Sequence, residues 1–134
     1  MRAEAGVLIA RGLAASAGVA EGVLAMSAAD ALGRVAQGQR VVLVLRDFDP
    51  EDAPAVRACV ALVTAVGGLT SDGAIVARVL GIPCVTGCGG LAPTASGEAL
   101  LAQGEGPTLT IPAGARLRVD GAAGRVEHLP EGDQ

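Results

Sequence analysis

The sequence contains no tryptophan, no tyrosine and no lysine, and Phe48 is its only aromatic residue. Surfaces that bind nucleic acids normally combine a basic patch with aromatic rings on which bases stack. Here the ten basic residues are all arginines, scattered along a chain of net charge -4, so we do not expect a nucleic-acid partner. The core must be packed by Val, Leu, Ile and Ala, which is typical of a layered α/β structure.

Cysteine is also scarce, with only Cys59, Cys84 and Cys88. An odd number of thiols, without paired Cys-x2-Cys spacing or a nearby histidine, indicates neither a disulfide framework nor a zinc site. We therefore predict no metal site and no cofactor. The apolar run from Val7 ends at Arg11 and is too short for a signal sequence or a membrane span, so we expect a cytoplasmic protein without a membrane partner.

The organisation of the chain predicts one α/β domain. Its 134 residues suit a single domain over 1–134, no linker divides them, and we expect a frayed tail at 130–134. Residues 30–37 are weakly helical by residue type, and 41–45 predict a strand covered on both faces. The strands are predicted at 6–10, which we expect to be buried, and at 41–45, 60–64, 84–87, 97–102, 108–111, 115–120 and 124–128, with the last two as a hairpin.

A glycine loop that turns into a helix is the part of the chain best suited to chemistry. Gly67 and Gly68 permit backbone conformations that other residues avoid. Thr70, Ser71 and Asp72 are residue types whose side-chain oxygen caps a helix N-terminus. Since the preceding strand ends directly in this loop, the caps are expected at the carboxyl end of a strand, where α/β proteins usually bind ligands.

The helix after these caps is predicted to be short. Ile75, Val76, Val79 and Leu80 form one apolar stripe, and the helix should end near Gly81. Its free amide groups and the positive end of its dipole would face the glycine loop. A phosphate or a carboxylate suits that position best.

Three segments of the chain resemble one known family. Residues 68–78 read Gly-Leu-Thr-Ser-Asp-Gly-Ala-Ile-Val-Ala-Arg, followed at 81–89 by Gly-Ile-Pro-Cys-Val-Thr-Gly-Cys-Gly. Residues 12–23 reproduce the glycine and serine spacing of the pattern Gly-x-x-Ala-Ser-x-Gly-x-Ala-x-Gly-x-Val, with Ala17 where proline is frequent, and 119–126 fit Val-Asp-Gly-x-x-Gly-x-Val. This set resembles the phosphohistidine domain, also called the swivelling or mobile domain, of the phosphoenolpyruvate-utilising enzymes. That family includes pyruvate phosphate dikinase, phosphoenolpyruvate synthase and enzyme I of the sugar phosphotransferase system.

The resemblance spans residues 12–127 and implies the swivelling-domain fold, with β/β/α layers. Asp72 stands where the family has its phosphorylated histidine. Aspartate can form an acyl phosphate, but such sites generally add a divalent metal and a lysine, and this sequence has no lysine. Three interpretations stay open: Asp72 only caps the helix in a module that has lost its catalytic role, its carboxylate imitates the charge of phosphohistidine, or it is an engineered replacement.

The resemblance also implies roles for neighbouring residues. The phosphate-facing or regulatory positions would be Gly67, Gly68, Thr70, Ser71, Gly73, Arg78 and Cys88. Thr70 matches a hydroxyl that a regulatory kinase modifies in the dikinase branch, although we expect it to act here as a cap. Arg78 would either reach back to an anion or pair with a surface acid. Cys88 is expected in the pocket wall, and His128, the only histidine, in a surface or packing role.

Family enzymes join this domain to an ATP-grasp nucleotide domain and to a phosphoenolpyruvate-binding barrel, and we find neither in the sequence. We therefore expect a lone module, an excised piece or one subunit of a split system, whose partner would be an ATP-grasp or phosphoenolpyruvate/pyruvate-binding protein. The predicted function is a non-catalytic or regulatory protein-binding module. Two alternatives are a phosphocarrier that uses Asp72 or Thr70, and a module that binds anions without a covalent step.

Overall fold

A computed structural model describes residues 6–104 and 106–130. The strands are β1 (Val7–Arg11), β2 (Leu13–Ser16), β3 (Val19–Ala25), β4 (Val41–Leu45), β5 (Ala61–Thr64), β6 (Cys84–Thr86), β7 (Leu91–Pro93), β8 (Ala99–Ala102), β9 (Leu109–Pro112), β10 (Arg116–Asp120) and β11 (Arg125–His128). The helices are α1 (Ala28–Ala36), α2 (Ala53–Ala58) and α3 (Asp72–Leu80), and a 3-10 turn at Pro50–Asp52 precedes α2. Apart from Pro130, the predicted frayed tail lies outside the described residues.

The strands form two sheets. The larger has eight strands in the order β1-β11-β10-β3-β4-β5-β6-β2, and the smaller has the order β7-β8-β9. Strands β3, β4, β5 and β6 run parallel, because α1, α2 and α3 provide the crossovers between them. The two edge strands of the large sheet, β1 and β2, are separated only by Gly12, whose amide donates to the carbonyl of Gly124 over 2.9 Å. The two edges of the sheet therefore meet at this residue.

Strand β4 shows how the core is divided. All five of its residues are buried, as the apolar run predicts. Val42 and Val44 pack in a cluster that includes Leu100 and Ile111 of the small sheet, whereas Leu43 and its alternate neighbours pack against the helices. Since successive strand residues point to opposite faces, the small sheet, the large sheet and the helices form three layers. The predicted β/β/α layering is confirmed.

The structure corrects the sequence prediction at β1 of the large sheet and at β7 of the small sheet. Strand β1 is present at the edge of the large sheet, but Val7 and Leu8 are exposed, and Ile9 is its only fully buried residue. Strand β7 was not predicted, since Leu91 to Pro93 is too short to show a strand pattern. The hairpin of β10 and β11 is confirmed, with Val119 opposite Val126.

Candidate functional site

The glycine loop lies at the carboxyl end of β5, as predicted. The amide of Ala65 donates to the carbonyl of Leu45 over 3.0 Å, and the Thr64 hydroxyl donates to the carbonyl of Val66 over 2.8 Å. These bonds extend the pairing of β4 and β5 and then turn the chain away from the sheet. Gly67 follows with φ of +114°, a conformation that L-residues with a side chain rarely adopt. The turn into α3 therefore depends on glycine at this position.

Gly68 has a different part in the loop. Its φ is not positive, and a Cβ atom placed on it would meet no atom within 4 Å. Its carbonyl oxygen accepts from the Ser71 hydroxyl at 2.7 Å and from the Thr86 hydroxyl at 3.5 Å. Gly68 thus contributes an acceptor that holds the loop to β6, and the predicted conformational need for two glycines applies only to Gly67.

Ser71 is the N-cap of α3. Its hydroxyl oxygen accepts from the amide of Ala74 at 3.4 Å while the same hydroxyl donates to Gly68. The expectation that Thr70 or Asp72 caps the helix through its own side chain is wrong, because only one residue can occupy the cap and Ser71 does so. Thr70 is exposed one residue earlier, and Asp72 is the first helical residue, exposed to solvent.

The position of Asp72 is electrostatically favourable for a carboxylate. It lies in the first turn of α3, where the unpaired amides and the helix dipole stabilise negative charge. No hydrogen-bond or ion-pair partner of this carboxylate is found among residues 6–104 and 106–130. The side chain is therefore a free anion on the surface at the start of the helix.

Gly73 faces the core rather than the loop. A Cβ atom on it would lie 3.0 Å from Cβ of Phe48 and 3.4 Å from Cδ2 of Leu62. The only aromatic ring of the protein therefore packs directly over the backbone of α3. The sequence prediction that Gly73 faces phosphate is not supported, since the residue is buried beneath Phe48.

The outer face of α3 also differs from the prediction. Its buried residues are the small ones, Gly73, Ala74 and Ala77, which let the helix backbone approach the sheet closely. Ile75 is 46% exposed and Val79 is 80% exposed, whereas Val76 and Leu80 are partly buried against the core, so the predicted apolar stripe faces the core only in part. Asp72, Ile75 and Val79 instead share one solvent-exposed face, because they follow the i, i+3, i+7 spacing of a helix. The spacing of the small residues was the signal that would have identified the buried face.

A cleft of about 270 Å³ lies beside this face and was not predicted. It is lined by Phe48, Pro50, Ala53, Asp72, Ile75 and Val76. The turn at Pro50–Asp52 forms one wall, and Asp49 caps it, with Pro50 at the first helical position. The first turns of α3 form the other wall, so Asp72 is both the start of the helix and part of the cleft.

Arg78 makes neither of the two contacts considered for it. Its guanidinium donates to the carbonyl oxygen of Ala15 over 2.8 Å and to that of Leu69 over 2.7 Å. The residue therefore connects β2 to the glycine loop, rather than binding an anion or an acidic side chain.

A sequence model of the family described as PEP-utilising enzyme, mobile domain, matches residues 37–124. The chain belongs to this family. The match contains the glycine loop, α3 and the cleft, and the family predicted from the sequence motifs is confirmed. The protein is thus a mobile domain of the kind found in phosphoryl-transfer enzymes that use phosphoenolpyruvate.

Among curated proteins, the mobile domain is similar to "Pyruvate, phosphate dikinase" of Rhizobium meliloti (strain 1021), at 36% identity over 89% of the chain and 13% of that enzyme. It is also similar to "Pyruvate, phosphate dikinase" of Clostridium symbiosum, at 33% identity over 92% of the chain and 14% of that enzyme. The chain therefore corresponds to a small part of the length of these relatives. An NMR solution structure of Enzyme I (nEIt) is 32% identical and covers 71% of this chain and 32% of that chain, with a TM-score of 0.46.

Cys88 lies in the core of the mobile domain and not in a pocket wall. Its side chain has no exposed surface, and burial raises the pKa of its thiol to about 12. The residue follows β6, and its amide donates to the carbonyl of Thr64 over 3.0 Å, which draws it between the two sheets. The thiol therefore does not face the glycine loop, contrary to the sequence prediction.

The remaining candidate residues lie apart from α3. His128 is in β11, paired with Val7 of β1 and Leu117 of β10. Within the described parts of the chain, no three His, Cys, Asp or Glu side chains are grouped so that they could hold a metal ion. None of the described helices is long and apolar enough to cross a membrane.

Proposed function

We propose that this mobile domain carries no phosphoryl group at Asp72 and acts as a non-catalytic or regulatory protein-binding module of a phosphoryl-transfer system. The observation that carries the proposal is the exposed carboxylate of Asp72 at the first residue of α3. The only histidine of the sequence, His128, is in β11. A phosphohistidine at this helix end is therefore not available to the chain.

Histidine and aspartate differ as nucleophiles toward a phosphoryl donor. A neutral imidazole attacks a phosphoryl donor without charge repulsion, whereas a carboxylate repels it and needs cations to offset the charge. The arginine of α3 cannot easily supply that charge, because Arg78 is held by the carbonyls of Ala15 and Leu69. These contacts support a domain that docks without accepting phosphate.

The free carboxylate also supports the idea that Asp72 imitates a charged, phosphorylated state. It has no partner within the described residues and is presented at the surface beside an apolar face. A partner that recognises a phosphorylated mobile domain would meet a permanent negative charge at the same place. In this interpretation the domain is regulatory because its charge cannot be removed by dephosphorylation.

The test compares wild-type protein with Asp72→His by intact mass spectrometry. Each is incubated with phosphoenolpyruvate and a pyruvate phosphate dikinase whose own mobile-domain histidine has been replaced. We expect only Asp72→His to gain the mass of a phosphoryl group, which would show that docking survives and that transfer is absent in the natural sequence. A phosphorylated wild-type chain would contradict the proposal and favour a carrier that uses Asp72 or Thr70.

Two further results separate the remaining possibilities. If neither protein gains mass, the surface that docks to this donor is not retained, and the role in such a phosphoryl-transfer system is contradicted. If phosphate raises the melting temperature of the wild-type chain in a saturable way without a mass change, the domain binds anions non-covalently. Ser71→Ala is the matched variant for that measurement, because the Ser71 hydroxyl caps the helix end at which the anion would bind.

A further inference from the structure

The cleft beside α3 has an apolar lining with a single charged group. Phe48, Pro50, Ala53, Ile75 and Val76 form its walls together with the carboxylate of Asp72. The apolar surface continues along the helix to Val79, which is the most exposed of the large apolar side chains in the described residues. Isolated exposed apolar residues are ordinary, but a continuous apolar face beside a cleft is typical of a protein-binding surface.

Four acidic residues lie in the segment 47–52, which contains the turn that forms one wall of this cleft. Asp47 and Asp49 flank Phe48, and Glu51 and Asp52 follow Pro50. Asp49 and Asp52 accept from backbone amides of the turn, at 2.8 Å and 3.0 Å, and neither forms an ion pair with the described residues. The ion pairs found among the described residues involve the other acids, Glu21, Asp30, Asp120 and Glu127. The charge around the cleft is therefore not neutralised within that part of the chain.

We propose that this cleft binds a segment of a partner protein that carries apolar side chains next to arginine or lysine. The apolar side chains would cover Ile75 and Val79, and the basic groups would meet Asp72 and the acidic turn at 47–52. This deepens the proposed function, on which it rests, by giving the chemistry of the partner. Charge complementarity selects the occupant, because an apolar surface bordered by carboxylates favours a basic partner and repels an acidic one.

The same charges argue against a second copy of this chain as the occupant. A twofold contact would bring the acidic turn and Asp72 of both copies into one interface. Like charges that face each other across an interface are unfavourable. A basic partner segment brings the missing charges and leaves no carboxylate unpaired.

The probe is a synthetic amphipathic helical peptide with leucines on one face and arginines along both borders of that face. A second peptide has glutamate in place of each arginine. Binding to the full chain is measured by fluorescence anisotropy of labelled peptide, and the site is mapped by amide chemical shifts of ¹⁵N-labelled protein. We expect the arginine peptide to bind, to shift amides at 47–53 and 72–79, and to bind more weakly as the salt concentration rises.

The matched variants change surface side chains only. Ile75→Ser combined with Val79→Ser should weaken binding of the arginine peptide by about tenfold or more, since both lost side chains are covered in the complex. Leu32→Ser removes a similarly exposed apolar side chain from α1 and should leave the affinity unchanged. Both variants should fold, which far-UV circular dichroism would verify.

Several results would overturn the inference. The peptide results would be no binding of the arginine peptide, or equal binding of the glutamate peptide. The variant and mapping results would be an equal loss of affinity in both variants, or amide shifts outside the cleft. Self-association of the chain that Ile75→Ser abolishes would indicate a second copy as the occupant. The phosphoryl-transfer test of Asp72 reports on a different event, because it measures mass and not peptide affinity. If the wild-type chain is phosphorylated, the proposed function is rejected even if the cleft binds the peptide. If the wild-type chain is not phosphorylated and the cleft does not bind the peptide, only the choice of partner is rejected.

Discussion

The guanidinium of Arg78 donates a hydrogen bond to the carbonyl oxygen of Leu69 over 2.7 Å. Its other terminal nitrogen donates to the carbonyl of Ala15 over 2.8 Å, a contact between residues 63 positions apart. One side chain therefore holds together two of the segments that identified the family, the opening segment at 12–23 and the glycine loop. In this protein, the arginine of the motif positions the loop.

The first prediction concerns this connection. Arg78→Ala removes both bonds, so the free energy of unfolding should fall by about 1–2 kcal/mol, and amide exchange should accelerate at residues 69–71. Urea titration and hydrogen exchange would measure the two effects. Arg57→Ala in α2 is the control, since that exposed side chain makes no hydrogen bond or ion pair with the described residues, and it should change the stability by less than about 0.5 kcal/mol. An equal loss in both variants would contradict the assigned role.

The second prediction separates the two loop glycines. Gly67→Ala forces a side chain into a φ of +114° and should cost about 1–3 kcal/mol of stability. Gly68→Ala meets no atom within 4 Å and keeps an ordinary φ, so the stability should stay the same or rise slightly. Chemical denaturation of both variants gives the comparison. Equal stability of the two would mean that the loop relaxes freely around position 67.

The third prediction concerns two helical glycines. Gly33→Ala in α1 meets no atom within 4 Å and should stabilise the protein by about 0.5–1 kcal/mol, the usual gain in a helix. Gly73→Ala in α3 would press its methyl group against Phe48 at 3.0 Å, and this contact offsets the gain. We expect the two variants to differ by at least about 1 kcal/mol in thermal unfolding. A Gly73→Ala variant as stable as Gly33→Ala would show that Phe48 moves aside at little cost.

The fourth prediction follows from the buried thiols. Burial raises the pKa of Cys59 to about 11 and the pKa values of Cys84 and Cys88 to about 12, from 9.0. At a pH between 9.0 and the raised pKa, each thiol keeps its proton in the native state but has lost it in the unfolded chain. The free energy of unfolding should therefore fall as the pH rises above about 9, by up to about 1.4 kcal/mol per pH unit for each thiol. The absence of lysine and tyrosine leaves few other side chains that titrate in this range.

Urea titrations on either side of pH 9 would measure that dependence. Cys88→Ala should have a shallower slope than the wild-type protein, because one of the titrating groups is gone. A thiol reagent should label the native chain slowly near neutral pH and label all three cysteines after unfolding, since the thiolate is the reactive form. A stability that is independent of pH above 9 would show that the thiols ionise in the native state.

The sequence was sufficient for features that depend on local pattern. The run at 41–45 predicted a strand buried on both faces, and β4 is such a strand. The order of strand, glycine loop and helix placed the loop at the end of β5, and the caps predicted the start of α3 within one residue. These predictions succeeded because residue type and spacing determine them directly.

Features that depend on neighbouring layers could not be predicted in the same way. Large apolar side chains on α3 suggested a buried stripe. The buried residues are instead Gly73, Ala74 and Ala77, because small side chains allow the helix to approach the sheet more closely. Arg78 was expected to meet a charge, and it meets carbonyls of β2 and of the loop, whose positions only the tertiary fold defines. Cys88 was expected in the pocket wall because of the family resemblance, and it lies inside the core.

The meeting of β1 and β2 at Gly12 has a consequence for synthesis of the chain. Strand β1 pairs with β11 and strand β2 pairs with β6, so residues 7–16 have their partners at 84–86 and 125–128. During translation β1 and β2 emerge before the strands with which they pair, so they cannot form these pairings until β6 and β11 have left the ribosome. Pairings between residues so distant in sequence form slowly. We therefore expect completion of the large sheet to be a late event in folding.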